Sequence, residues 1–85
     1  MNKEILLITQ EECAEVVQAI SKVFRFGLED SYNGFTNKQR LEEEVGDLLC
    51  MIDLMMKDNI ISDQKVYAAK AAKLEKLKIW STVTH

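Results

Sequence analysis

The chain has no proline and only three glycines in 85 residues, so there are very few positions at which a helix has to stop. Those few fall into two clusters. The first runs from Gly27 to Thr36 and holds Asp30, Ser31, Asn33 and Gly34. The second runs from Asp58 to Asp63, where Asn59 can end a helix in the left-handed conformation and Ser62 or Asp63 can cap the next. Between them lie helix formers with apolar residues every three or four positions, which predicts helices over roughly Asn2 to Phe26, Asn37 to Lys57 and Asp63 to Trp80. No period-two run of β-branched residues competes. The expected fold class is all-α, a three-helix protomer forming one domain over residues 1–85.

A chain this short hides only about two thirds of the surface its unfolded form exposes. Cys13 and Cys50 stand alone, outside any CxxC pair, and read as reduced small side chains rather than staples or ligands. Association of protomers is therefore the expected way to complete the core. The residues from Leu48 to Met56 are apolar almost all round apart from Asp53, which gives the second helix more surface than two neighbours can cover. Fourteen acidic and 11 basic side chains leave a formal charge of −3, which argues against nucleic acid as a partner. The apolar run Ile5 to Ile8 is too short for a signal peptide and nothing approaches a membrane span, so a cytoplasmic protein is expected.

The pair Asn33-Gly34 invites comparison with a calcium loop. With Gly34 in the sixth position, Arg40 occupies the last, where a bidentate glutamate belongs, and that reading fails. The segment is long for a helix connection. It can cover a site with Tyr32 and Phe35 as stacking groups, or be a solvated connector whose aromatics pack back on the bundle.

On a helical wheel, Cys13, Val16, Val17, Ile20, Val23 and Phe24 form the apolar arc of the first helix, extended on one side by Ile8, Ala19 and Phe26. Glu12 and Glu15 sit in that extension. In the second helix the arc runs through Leu41, Val45, Leu48, Leu49, Ile52, Met55 and Met56. Glu44 and Asp47 interrupt its continuation over Met51 and Leu54. Four carboxylates on inward faces demand counter-charges, since a buried unpaired carboxylate costs several kcal/mol. Hard divalent cations, Mg²⁺ or Mn²⁺, meet that demand through oxygen ligands. Two i,i+3 pairs on facing antiparallel helices make a compact cluster: Glu12 and Glu15 opposite Glu44 and Asp47. One such pair alone would be an ordinary solvated surface feature; two, each breaking an apolar arc, are not. A di-iron bundle needs ExxH motifs, and His85 is the only histidine.

With no cysteine, serine or histidine nucleophile in reach, metal-activated water attacking a phosphoric anhydride is the chemistry that fits. Lys73 and Lys76, with Lys70 and Lys78 nearby, offer phosphate-binding cations on the third helix, and Lys22 and Arg25 do so near the end of the first. Glu11 or Glu43 can accept the proton of the attacking water or stand behind the ligands. Met51, Met55 and Met56 read as core or interface, and Trp80 as a terminal anchor or a base-stacking group.

Glu12-Cys13-Ala14-Glu15, followed after 28 residues by Glu44-Val45-Gly46-Asp47, resembles the ExxE and ExxD signature of the MazG-like, all-α nucleoside triphosphate pyrophosphohydrolases. The likeness extends along Glu11 to Ile20 and Leu41 to Ile52, and Lys73-Leu74-Glu75-Lys76 is similar to the family's lysine-bearing third helix, with Leu77 where an asparagine often follows. The resemblance implies Mg²⁺-dependent cleavage of an NTP or dNTP between the α and β phosphates to a monophosphate and pyrophosphate. It also implies a homodimer or a dimer of dimers, in which helices from both protomers complete the bundle and the base pocket. The length is typical of short members, including those carried by bacteriophages. Phosphoribosyl-ATP pyrophosphohydrolase, of the same superfamily, is the second enzymatic reading, and a non-catalytic helical dimerisation module is the reading from another class.

Overall fold

The computed structural model describes residues 1–83; His85 lies outside them. Three helices are present: α1 (Lys3–Phe26), α2 (Asn37–Lys57) and α3 (Asp63–Trp80). Each starts where a side chain can satisfy orphaned backbone N–H groups. The Glu4 N–H donates to Asn2 Oδ1 at 3.0 Å and the Lys65 N–H to Ser62 Oγ at 3.3 Å. Thr36 and Gln39 form a reciprocal capping box at the start of α2, with bonds of 3.1 and 2.9 Å. The ends are equally defined. Gly27, with φ +91°, closes α1. Asn59, with φ +57°, closes α2 in a Schellman arrangement, the Ile60 N–H reaching the Met55 carbonyl at 2.9 Å and the Asn59 N–H that of Met56 at 3.1 Å.

The first connector holds an element that the sequence reading did not foresee. Strands β1 (Ser31–Tyr32) and β2 (Phe35–Thr36) pair antiparallel, Ser31 opposite Thr36 and Tyr32 opposite Phe35. Asn33 and Gly34 both have positive φ, 56° and 82°, the conformation of a two-residue type I′ turn. The connector is also tied to α2: the Asn37 N–H donates to the Asp30 carbonyl at 2.9 Å and the Lys38 N–H to that of Leu28 at 3.0 Å.

Helices α1 and α2 lie antiparallel, linked at one end by the Asn2 N–H on Asp58 Oδ2 at 3.2 Å and at the other by Asn37 Nδ2 on the Gly27 carbonyl at 2.9 Å. Their seam follows the i, i+3, i+4 spacing of both helices. On α1 it takes in Ile5, Ile8, Thr9, Glu12, Val16, Ala19 and Val23, and on α2 Leu41, Glu44, Leu48, Met51, Ile52 and Met55. Buried Thr9 donates its hydroxyl proton to the Ile5 carbonyl at 2.6 Å, so its polar atom is satisfied within the helix.

The wheel had centred the buried face of α1 elsewhere. Its extension, Ile8 and Ala19, forms the seam, while much of the main arc stays in water: Val17 is 66% exposed and Phe24 86%, and Leu49 on α2 is 55% exposed. A wheel weights residues by hydrophobicity and cannot say which of two adjoining apolar stripes meets a neighbour in the same chain. Cys13 and Cys50 are free, and both are exposed rather than packed.

Helix α3 extends away from the α1–α2 hairpin, buries none of its residues and leaves Tyr67, Leu74, Ile79 and Trp80 exposed. The chain is accordingly flat and open, 39 × 36 × 14 Å, with a radius of gyration of 15.4 Å. A compact chain of this length would have a radius of roughly 12 Å. Among the described residues no helix is long and apolar enough to cross a membrane.

Candidate metal and phosphate site

The seam places two carboxylates between apolar turns. Glu12 lies between Thr9 and Val16 on α1, Glu44 between Leu41 and Leu48 on α2, and both are half-buried. Asp47, one turn beyond Glu44, projects from the edge of the seam. A carboxylate oxygen from each of Glu12, Glu44 and Asp47 lies within 4.8 Å of the others. Glu15 stands one turn further along α1, outside that tight group, and borders a hollow of about 90 Å³ together with Glu44.

Among the described residues no cation pairs with these groups. Among the described residues the one ion pair joins Lys78 to Glu75, at 3.0 Å on α3. The effect is visible in proton affinity. The Glu12 carboxyl is held above its ordinary range first by desolvation in the seam and then by the charges of Asp47, Glu15 and Glu11. The Glu44 carboxyl is raised in the same way, by desolvation and then by Glu15, Asp47, Glu12 and Glu43. Converging, unneutralised carboxylates with no sulfur or imidazole among them form an oxygen-only donor set, suited to Mg²⁺ or Mn²⁺ rather than to softer metals.

The other expected site residues divide by location. Lys22 borders the hollow beside Glu15 and Glu44, and also a larger one of about 370 Å³ toward the connector. Arg25 is turned instead over the ring of its neighbour Phe26, 4.9 Å from the centroid. Glu11 and Glu43 are exposed and stand outside the three-carboxylate group, acting on it through their charge. Lys73 and Lys76 ride on α3, which packs against neither helix of the site. Lys73 borders a separate apolar hollow of about 490 Å³ with Tyr67 and Leu74. Met51 is buried and Met55 and Met56 are half-buried, in keeping with core roles, whereas Trp80 is 81% exposed.

Two residues at this site were not expected there from the sequence. Arg40, one turn before Glu44, and Asn37, at the start of α2, border both hollows next to Lys22. Tyr32 and Phe26 bring aromatic surface to the larger one. The connector aromatics do not fold back into a core: Tyr32 is 72% exposed and Phe35 53%. The signal for this region was the Asn33-Gly34 pair, whose type I′ turn carries Tyr32 and Phe35 as directly opposed residues.

Two hollows that share Lys22, Asn37 and Arg40 thus adjoin, the first bordered by the carboxylates of Glu15 and Glu44 and the second by the rings of Phe26 and Tyr32. This arrangement would suit a nucleotide carrying metal-bound phosphates. No curated protein and no solved structure shows a significant match to the chain. The model of the MazG nucleotide pyrophosphohydrolase domain, however, matches residues 1–78, across all three helices and both acidic motifs. On this match, together with the helical architecture, the chain belongs to the MazG nucleotide pyrophosphohydrolase family.

Proposed function

We propose that this protein hydrolyses a nucleoside or deoxynucleoside triphosphate between the α and β phosphates, releasing a monophosphate and pyrophosphate, with Mg²⁺ as the required ion. The observation that carries the reading is the convergence of Glu12, Glu44 and Asp47 with no counter-cation among the described residues. These three would hold the metal, and Glu15 on the next turn of α1 would complete or share the set. A bound Mg²⁺ supplies charge for the phosphate oxygens and lowers the pKa of water. The half-buried positions of Glu12 and Glu44 keep their carboxylates in a setting of reduced polarity, where attraction for a cation is stronger than in bulk water. Glu11 or Glu43, exposed beside the ligands, would take the proton of the attacking water on a carboxylate oxygen. Lys22 would meet the phosphates from α1.

The active form is proposed to be a homo-oligomer. The accessible surface is 6918 Å², against about 5,200 Å² for a compact monomer of this mass. An excess of roughly 1,700 Å² per chain falls in the range of obligate interfaces. Assembly that covers the exposed side chains of Val17, Phe24 and Leu49 would account for that excess, and α3 would bring Lys73 and Lys76 to a site of the partner. A panel of canonical NTPs and dNTPs, assayed with Mg²⁺ for monophosphate and pyrophosphate, tests the reaction. At least one should be split to equimolar products. Absence of pyrophosphate from all of them would leave a binding or interaction module.

A further inference from the structure

We infer that the carboxamide oxygen of Asn37 accepts a hydrogen bond from a hydroxyl of the nucleotide's sugar, which makes Asn37 a residue that selects for the sugar. The inference rests on the pyrophosphohydrolase reading and adds to it a contact that neither acidic motif supplies. Asn37 opens α2 and is only 7% exposed. Two of its groups are committed to the connector. The backbone N–H donates to the Asp30 carbonyl at 2.9 Å, and Nδ2 donates to the Gly27 carbonyl, also at 2.9 Å. The second bond fixes which way the carboxamide faces, because only its nitrogen can donate to a carbonyl. Oδ1 is left on the other side of the group, and among the described residues nothing donates to it. No buried side-chain oxygen or nitrogen is without a partner among the described residues, so this oxygen reaches solvent from a side chain that is otherwise enclosed. The openings beside Asn37 are the two hollows of the site.

Its place between them decides what meets it. The hollow of about 90 Å³ carries Glu15 and Glu44, and that of about 370 Å³ carries Phe26 and Tyr32. A nucleotide has phosphates at one end, a flat base at the other and the sugar between. With metal-bound phosphates at the carboxylates and the base against the rings, the sugar lies where the hollows adjoin. Sugar hydroxyls can donate, whereas phosphate oxygens accept, so an unpartnered acceptor at this point is matched by the sugar and mismatched to the phosphates. The surroundings are fixed before a ligand arrives. The bonds of Asn37 tie the start of α2 to the end of α1. On the hairpin, the Tyr32 carbonyl accepts from Arg40 Nη2 at 3.1 Å, and the guanidinium lies 5.5 Å from the centroid of the Phe35 ring. An acceptor held in this way loses little freedom on binding.

Nucleoside 5′-monophosphates, which carry base and sugar but no anhydride to cleave, are the probes. Calorimetry of the full chain in Mg²⁺ compares the ribo, 2′-deoxy and 2′,3′-dideoxy forms of the base that binds tightest. Removing the recognised hydroxyl should weaken wild-type binding about fivefold, at the 2′ or the 3′ step, the loss expected for one hydrogen bond. In Asn37→Ala that step should vanish, whatever the variant loses overall through the missing bond to Gly27, because the cycle isolates the pair. Asn37→Ser, shorter by the carboxamide and compatible with a helix start, should lose the step too. Ser31→Ala, at the same hollow, should keep it. The inference is overturned if the wild type binds all three forms alike or binds none of them, results that require no folded variant. It is also overturned if the Asn37 variants keep the step or if Ser31→Ala loses it. A step that depends on Asn37, in a protein that cleaves no triphosphate, would keep the contact and remove the pyrophosphohydrolase reading.

Discussion

Glu12 and Glu44 are where the physical conflict of this chain is concentrated, because the seam desolvates both and surrounds them with like charge. A carboxyl whose folded pKa lies above its unfolded value binds more protons when folded. Its ionisation therefore penalises the folded state at neutral pH, and the penalty lifts as pH falls from the raised value toward the ordinary 4.5. Thermal melts of the metal-free protein, with the Glu12→Gln/Glu44→Gln double variant as reference, should show the wild type gaining relative stability across that window. Added Mg²⁺ should produce the same gain at neutral pH in the wild type and not in the variant. At this scale much of the site was legible: the two i,i+3 acidic pairs stand out because they interrupt apolar arcs. What could not be read was that Glu12 and Glu44 enter the seam while Glu15 and Asp47 stay at its edge. That depends on which stripe of α1 meets α2, and the burial of Ala19 marks that stripe although its hydrophobicity is modest.

The three helices are bounded within a residue of where caps and breakers place them, because Asn2, Thr36, Ser62, Gly27 and Asn59 each satisfy or end a run of backbone hydrogen bonds. The hairpin between α1 and α2 was not legible in the same way. Two-residue strands are too short to show alternation, and only Asn33-Gly34 marked the turn. Gly34→Val tests how much the element matters. A β-branched residue at φ +82° would strain the turn, by about 1–2 kcal/mol. The expected result is faster amide exchange in residues 31–36 with helical circular dichroism unchanged, together with weaker nucleotide binding as Tyr32 and the support of Arg40 are lost. Unchanged affinity would reduce the hairpin to a connector.

The described residues form an open hairpin with a third helix that buries none of its residues. Shortage of core was foreseeable from 85 residues; the position of the unburied surface was not, since Val17, Phe24 and Leu49 look like core on a wheel. If assembly covers them, analytical ultracentrifugation will give a mass that is a multiple of 9.8 kDa. Leu49→Lys or Phe24→Lys should then shift the protein toward monomer and lower its melting temperature, because a charge in an apolar interface is left unpaired. A wild-type monomer would place the missing cover elsewhere. The central claim is that the carboxylates in the α1–α2 seam are a metal-dependent catalytic centre. Its most direct test is the rate of pyrophosphate release from a triphosphate substrate, measured against Mg²⁺ concentration for the wild type and for Glu44→Gln. The account predicts a wild-type rate that saturates with Mg²⁺ and vanishes in chelator, and a Glu44→Gln rate at background with helical content preserved. A wild-type rate indifferent to chelator, or a Glu44→Gln enzyme that turns over at the wild-type rate, would contradict it.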